Sequence, residues 1–210
     1  MRRAIWHFDF ISPFAYIGLH RLKKLPADVA IEYRPVLFAG LLNHWGQKGP
    51  AELATKRRYT YRWSHWWAHS LGLPLRYPAA HPFNPLHHLR LAIACGSTPE
   101  AVRKIFDSVW TTGADPSDQK NFAALCSDLG VTADALASPA IKDTLRSNTD
   151  AAIKAGVFGE PTVEVDGELF WGADAMDFLR AFLADPATVR NAEMQRLDAL
   201  PVAAARRTGG

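Results

Sequence analysis

The sequence predicts an α/β fold interrupted by a large all-helical insertion, and three observations carry that prediction. A strand-helix-strand pattern opens the chain, helical periodicity then fills its middle, and a hairpin pattern followed by a last helix closes it. The 210 residues are 48% hydrophobic and 21% charged. A chain of that size and make-up hides roughly 70% of its unfolded surface and needs neither disulfides nor a metal to hold together.

Ala4 to Phe10 reads as a buried strand, with Ile5, Trp6, Phe8 and Phe10 set around His7 and Asp9. Ser12-Pro13 stops it, because serine caps a helix and proline fits the first helical turn; Tyr16, Leu19, Leu22 and Leu25 then recur at helical spacing. After the Pro26-Ala27-Asp28 turn, Val29 to Val36 alternates as a second strand and completes a β-α-β unit. From Leu37 to Gly156 helical stretches alternate with Gly and Pro punctuation, the best being Ala51–Leu71, Leu86–Cys95, Pro99–Thr112, Asp118–Leu129 and Pro139–Ala155. Asp166-Gly167 between Thr162–Val165 and Glu168–Trp171 is a strong hairpin signal. A closing helix is expected from Ala173-Asp174, pairing Phe178 with Phe182 and Leu179 with Leu183. An Ala-rich loose helix and the tail Arg206–Gly210 follow Asp185. The expected division is 1–36, 37–156 as the helical insertion, 157–184, and 185–210 as the C-terminal helix and tail.

Composition excludes several functions. Twenty-four basic against 21 acidic residues leave a net charge of +3, far from the concentrated basicity of a nucleic-acid binder. Lys56 to Trp63 does interleave cations with aromatics, but Tyr59, Trp63 and Trp67 follow the spacing of a buried helical stripe, suited to core or dimer contacts. Cys95 and Cys126 are the two cysteines, with no C-x-x-C between them, which excludes a dithiol centre; both read as small buried helix residues. His65 and His69 share a helix face without a third ligand nearby, so no metal site is expected. His7 and Asp9 break the opening apolar run too early for a signal peptide, and no stretch reaches the roughly 18 to 20 apolar residues of a membrane helix. A soluble cytoplasmic protein is expected.

Ser12 stands where a central strand gives way to a helix. Its plain role is the N-cap; the functional one uses the free N–H groups and partial positive charge of a helix start to stabilise an anion such as a thiolate.

His7–Tyr16, Gly46–Pro50, Pro82-Phe83-Asn84-Pro85, Phe158–Thr162 and Val165–Asp174 occur in an order that closely resembles the 2-hydroxychromene-2-carboxylate isomerases. These belong with the kappa-class glutathione transferases in the DsbA-type branch of the thioredoxin superfamily, and the likeness runs from about Ile5 to Phe182. The resemblance implies a thioredoxin-like fold with a helical insertion. It also implies a glutathione-dependent isomerase that interconverts 2-hydroxychromene-2-carboxylate and trans-o-hydroxybenzylidenepyruvate in aromatic-compound catabolism. Disulfide oxidoreductases of this fold carry reactive cysteines where this chain has Ser12 and Ala15. The resemblance therefore makes Ser12 the catalytic residue, donating to the thiolate of bound glutathione.

Further site residues are implied in the same way. Glu160 before a cis Pro161 would pair its backbone with the cysteinyl part, and Trp171, Gly172, Ala173 and Asp174 would hold the γ-glutamyl end. Lys56 would meet the glycyl end, with Gln47 in the adjoining loop. Asn43, His81 and Asn84 would line a pocket for a small aromatic keto acid, although Asn84 also suits a turn and Asp174 a helix cap. Gln47, Asn43 and Glu160 depart from the family's usual Asn, Lys and apolar residue. Glutathione is the expected cofactor and a homodimer the expected assembly. The alternatives are a kappa-like glutathione transferase or a glutathione-binding module without turnover.

Overall fold

The structure, a computed structural model, describes residues 1–204; the Arg206–Gly210 tail read from the sequence lies outside the described residues. The chain forms two compact units, Met1–Met176 and the remainder from Asp177.

In the first unit β1 (Arg2–Phe8), α1 (Pro13–Leu22) and β2 (Val29–Pro35) make the opening β-α-β unit. α2 (Phe38–Trp45), α3 (Ala54–Ser70), α4 (Leu86–Ala94), α5 (Pro99–Trp110), α6 (Gln119–Asp128), α7 (Ala133–Ala137) and α8 (Pro139–Lys154) follow before β3 (Thr162–Val165) and β4 (Glu168–Trp171). The four strands lie in the order β2-β1-β3-β4. β1 is parallel to β2, from Arg2 beside Val29 to Phe8 beside Pro35, and antiparallel to β3, with Trp6 beside Val163. This is a thioredoxin-like α/β fold with helices between its two sheet-forming segments. The hairpin turn takes Asp166 and Gly167 at φ 51° and 82°, the paired positive φ that Asp-Gly tolerates and the twist of the strands requires.

The central strand is buried on both faces, which is why it reads as an apolar run. Trp6 and Phe8 stack at 4.4 Å, and Phe106 of α5 lies 5.6 Å from Phe8 and 4.5 Å from Phe10. The indole Nε1 of Trp110 donates to Phe10 O at 2.9 Å, tying α5 to the loop that leads into α1. A smaller core of Val36, Leu41, Ala152 and Val157 joins α2 and α8 to the strand ends.

Several expectations are corrected. β1 begins and ends two residues earlier than read, because Asp9 leaves the ladder to bind the start of α2. α2 and the short α7 were not expected as helices; α2 has no side-chain cap to announce it. Ala51–Leu71 is not one helix, since a 3-10 turn at Pro50–Glu52 precedes α3 and Leu53 between them is extended. Tyr59 is 66% exposed and does not belong to a buried stripe; the buried positions of α3 are the small Ser64 and Ala68, and Trp63 and Trp67 are half-buried. Cys126 is buried, whereas Cys95 is only half-buried at the end of α4. The closing helix starts as a 3-10 turn at Ala173–Ala175.

The second unit contains most of α9 (Met176–Ala184), a 3-10 turn at Pro186–Thr188 and α10 (Ala192–Asp198). The Arg190 guanidinium covers the Phe182 ring at 5.2 Å. Among the described residues no helix is long and apolar enough to cross a membrane.

Candidate active site

The site is built around the start of α1. Ser12 has extended backbone, its Oγ accepts the N–H of Ala15 at 3.2 Å, and Pro13 occupies the first helical position, where its missing N–H costs nothing. Ser12 N–H donates to Asp9 O at 3.3 Å, which folds the intervening loop back on the end of β1. Ser12 as a whole is 7% exposed. With Oγ accepting from Ala15, its own proton remains for another acceptor.

Two carboxyl groups lie behind Ser12. Asp9 is fully buried; one oxygen accepts Ile11 N–H at 3.2 Å and the other accepts Phe38 N–H, at the first turn of α2, at 2.9 Å. Burial raises its pKa to about 7 against the opposing pull of these donors. Glu160 Oε2 accepts the N–H of Asp9 at 3.4 Å. Burial, and then the neighbouring Asp9 carboxyl, push Glu160 well above the usual carboxylate range, while Ser12 alongside pulls the other way. The Glu160–Pro161 bond is cis, as the resemblance implies. Pro161 rests on α1 where Gly18 lacks a side chain: a Cβ there would meet Pro161 Cγ at 3.4 Å and Ala173 Cβ at 3.8 Å.

β4 delivers the remaining part of this wall. Gly172 N–H donates to Pro161 O at 2.8 Å, with φ of 96° that suits glycine. The Asp174 side chain folds back over Gly172, where a Cβ would lie 2.3 Å from Oδ1. Ala173 is buried and Asp174 exposed. Trp171 meets Phe158 edge-on at 5.1 Å, and its indole covers Gly159.

His81 reaches the same loop from the α3–α4 connection. Its Nε2 lies 2.8 Å from Ile11 O, a carbonyl that can only accept, so Nε2 carries the proton. Its Nδ1 then faces the Tyr61 hydroxyl at 2.7 Å, and burial holds the ring below its ordinary pKa, in the neutral form. His81 thus supports the backbone beside Ser12. Asn84 instead does turn work, its Oδ1 accepting Leu86 N–H at 3.1 Å.

The structure therefore gathers Ser12, His81, Glu160, Pro161, Gly172, Ala173 and Asp174 along α1 and the loop that leads into it. Asn43, Gln47 and Lys56 are exposed on the α2–α3 segment and make no hydrogen bond or ion pair with these residues. Gln47 N–H donates to Leu42 O behind the left-handed Gly46. His65 and His69 stack on each other at 4.3 Å, with His69 Nε2 3.2 Å from Leu75 O. Sequence reasoning missed Asp9 as a site residue. An acidic residue in an otherwise apolar strand end was the available signal, since an unpaired charge is rarely left there.

Known proteins share this fold. The DSBA-like thioredoxin domain model matches residues 5–184. A 2-hydroxychromene-2-carboxylate isomerase of Sphingobium xenophagum is 33% identical over 189 residues, covering 86% of this chain and 97% of that protein. The human glutathione S-transferase kappa 1 is 25% identical over 85% of this chain and 89% of its own. A solved 2-hydroxychromene-2-carboxylate isomerase structure superposes with a TM-score of 0.75 at 27% identity, covering 91% of this chain and 98% of that one. The chain belongs to the 2-hydroxychromene-2-carboxylate isomerase family of enzymes, built on the DSBA-like thioredoxin domain.

Proposed function

We propose that this protein is a glutathione-dependent isomerase that interconverts 2-hydroxychromene-2-carboxylate and trans-o-hydroxybenzylidenepyruvate. One observation carries the reading. The start of α1 presents a serine hydroxyl at the helix cap and an alanine three residues on, so this position offers an anion site but no sulfur. These residues fit a bound thiolate: a helix N-terminus and a hydroxyl donor lower a thiol pKa from near 8.5 by roughly one to several units, each worth about 1.4 kcal/mol.

Bound glutathione supplies a thiol whose reversible addition to the conjugated double bond of an arylidene pyruvate leaves a single bond free to rotate. Ser12 Oγ–H donates to the sulfur and holds it ionised before addition and after release. Pro161 and the Glu160 backbone flank the cysteinyl portion. The backbone of Gly172, Ala173 and Asp174 receives the γ-glutamyl carboxylate and the Asp174 side chain the ammonium, while Lys56, with Gln47, meets the glycyl carboxylate. His81 keeps the Ile11–Ser12 backbone in place by donating to Ile11 O. Asn43, His81 and Asn84 form the aromatic side of the reading, and a cytoplasmic homodimer completes it.

The test is to mix protein, glutathione and trans-o-hydroxybenzylidenepyruvate and follow the ultraviolet spectrum. A rate that ignores the omission of glutathione, or that survives Ser12→Ala, overturns the mechanism. The similarity to a kappa glutathione transferase favours a second reading, conjugation of an electrophile. Product mass decides between them, since conjugation consumes the thiol and isomerisation returns it. Calorimetric affinity for glutathione with no turnover of either kind would leave a binding module.

A further inference from the structure

Ser12 can serve an anion only while the backbone that carries it holds still, and that backbone is not part of a strand. Residues 9–12 connect β1 to α1 and belong to neither element. Two consecutive peptide groups of this loop are nevertheless pinned at both ends. In the first, Phe10 O accepts Trp110 Nε1–H at 2.9 Å and Ile11 N–H donates to Asp9 Oδ1 at 3.2 Å. In the second, Ile11 O accepts His81 Nε2–H at 2.8 Å and Ser12 N–H donates to Asp9 O at 3.3 Å. A peptide group is planar, so holding its carbonyl and its N–H together fixes the whole plane. Ser12 O then accepts Tyr16 N–H at 3.2 Å as the helix begins.

Both carbonyls are held by side chains from the helical stretch between β2 and β3. Trp110, the last residue of α5, is fully buried and offers its single N–H. His81 has two ring nitrogens, and only a protonated Nε2 can serve Ile11 O. Which nitrogen bears the proton is set by what the other one meets. Tyr61, on α3, places its hydroxyl 2.7 Å from His81 Nδ1 and 2.7 Å from His81 O. Its proton turned towards a bare Nδ1 keeps the ring proton on Nε2. The two straps share one cluster of rings: Tyr77 lies 4.5 Å from Tyr61, 5.6 Å from His81 and 5.2 Å from Trp110, and its hydroxyl meets Ser64 of α3 at 2.7 Å.

We propose that Tyr61 and Trp110 are positioning residues for Ser12. Tyr61 acts through His81 on Ile11 O and Trp110 acts directly on Phe10 O, and together they fix the two peptide groups that present the serine at the start of α1. That the serine then serves a glutathione thiolate rests on the preceding reading; the hold on the loop does not.

The test uses the full chain with Tyr61→Phe and Trp110→Phe, which keep a ring and lose the donor, and with His81→Leu, alone and combined with Tyr61→Phe. Without glutathione, nitrogen-15 NMR of the His81 ring, identified by its absence in His81→Leu, should show the proton on Nε2. Exchange of the Ser12 amide should quicken roughly five- to tenfold in each Phe variant, the effect of one lost hydrogen bond, while the Trp6 and Phe8 amides of β1 keep their rates. With glutathione and trans-o-hydroxybenzylidenepyruvate, kcat should fall about tenfold in each, because a misplaced group costs rate. Calorimetric affinity for glutathione should change by less than about twofold, since the contacts proposed for the rest of the tripeptide remain. Tyr61→Phe should add nothing to His81→Leu, because the hydroxyl works through that ring.

A ring protonated on Nδ1 in the unmodified protein, or a Tyr61→Phe effect undiminished by His81→Leu, overturns the route through His81. Ser12 exchange and kcat unchanged in both Phe variants overturn the positioning role, as does faster exchange spread equally over β1, which is the mark of a residue that only stabilises the fold. Absence of any glutathione affinity in the unmodified protein overturns the glutathione reading alone, and Ser12 exchange then decides the positioning role by itself. Should Trp110→Phe fail to fold, the half-buried Tyr61 decides: faster Ser12 exchange in Tyr61→Phe supports the assignment and an unchanged rate overturns it.

Discussion

The start of α1 and the outer face of α3 both carry aromatic and polar residues, yet they make opposite kinds of surface. At the start of α1 three polar side chains have fixed partners: Ser12 with Ala15, Asp9 with Ile11 and Phe38, His81 with Ile11 and Tyr61. On α3, Lys56 is exposed and Trp66 is 64% exposed, while Trp63 and Trp67 stack on each other at 5.8 Å beside Phe14. Burial at α1 turns hydrogen bonds into geometry and moves ionisation. Water at α3 leaves charges screened and contacts individually weak. A site that must hold a reactive anion belongs to the first kind, and a surface that adds affinity can be of the second.

The contrast is broken most strongly at the floor of the α1 site. Phe106→Ala removes a ring packed on Phe8, Phe10 and Tyr16 and should cost about 3–5 kcal/mol in urea unfolding, whereas Trp66→Ala should stay within about 0.5 kcal/mol. A Phe106 effect as small as that of Trp66 would refute the division into dry and wet regions.

Ser12→Ala should lower glutathione-dependent isomerisation about a hundred- to a thousandfold, the typical consequence of losing one donor to a developing charge. The lost cap should cost only about 1 kcal/mol of stability. Steady-state kinetics alongside a thermal melt separates the two, because turnover must fall further than the folded fraction.

A third test uses pH. Burial lowers the pKa of His88, on α4 against Phe10 and Phe122, to about 4 from the ordinary 6.5. The unfolded chain then takes up the proton first. The contribution of His88 is complete above the unfolded pKa and is lost as pH falls from there towards about 4, by roughly 3 kcal/mol at most. Asp9 acts in the opposite sense. With its folded pKa raised from 3.8 to about 7, the folded state holds that proton more tightly, so stability from this group rises as pH falls through that window. The difference between the unmodified protein and His88→Leu isolates the histidine; parallel stability curves would refute the assignment.

The smallest effect is expected on α3. Lys56→Ala should raise the KM for glutathione a few-fold, worth less than about 1 kcal/mol, leave the melting temperature unchanged, and lose its effect in high salt. A large salt-independent change in kcat would mean that Lys56 works inside the buried site.

Much of the architecture was legible because its signals are local. Ser12-Pro13 caps and starts α1, Asp166-Gly167 turns the hairpin, and Thr98-Pro99 and Ser138-Pro139 start α5 and α8, each with the serine or threonine hydroxyl accepting an N–H three residues on. α2 was illegible for the converse reason. Its start is held from elsewhere, by the Asp9 carboxyl on Phe38 N–H and by Thr149 on Leu37 N–H. Tyr59 was misjudged because helical spacing identifies a shared face but not whether anything covers it.

The amino-acid order alone therefore determined the strand and helix succession, the hairpin, and a serine in place of sulfur at the start of α1. These depend on neighbours within a few residues, where dihedral preference and capping act. Only the tertiary structure decided that Glu160 stands against Asp9, 151 positions away, and that His81 supports Ile11 across a separation of 70. Such contacts arise when packing removes water from groups the chain keeps far apart. The resulting ionisation is then a property of the enclosure and not of any single residue.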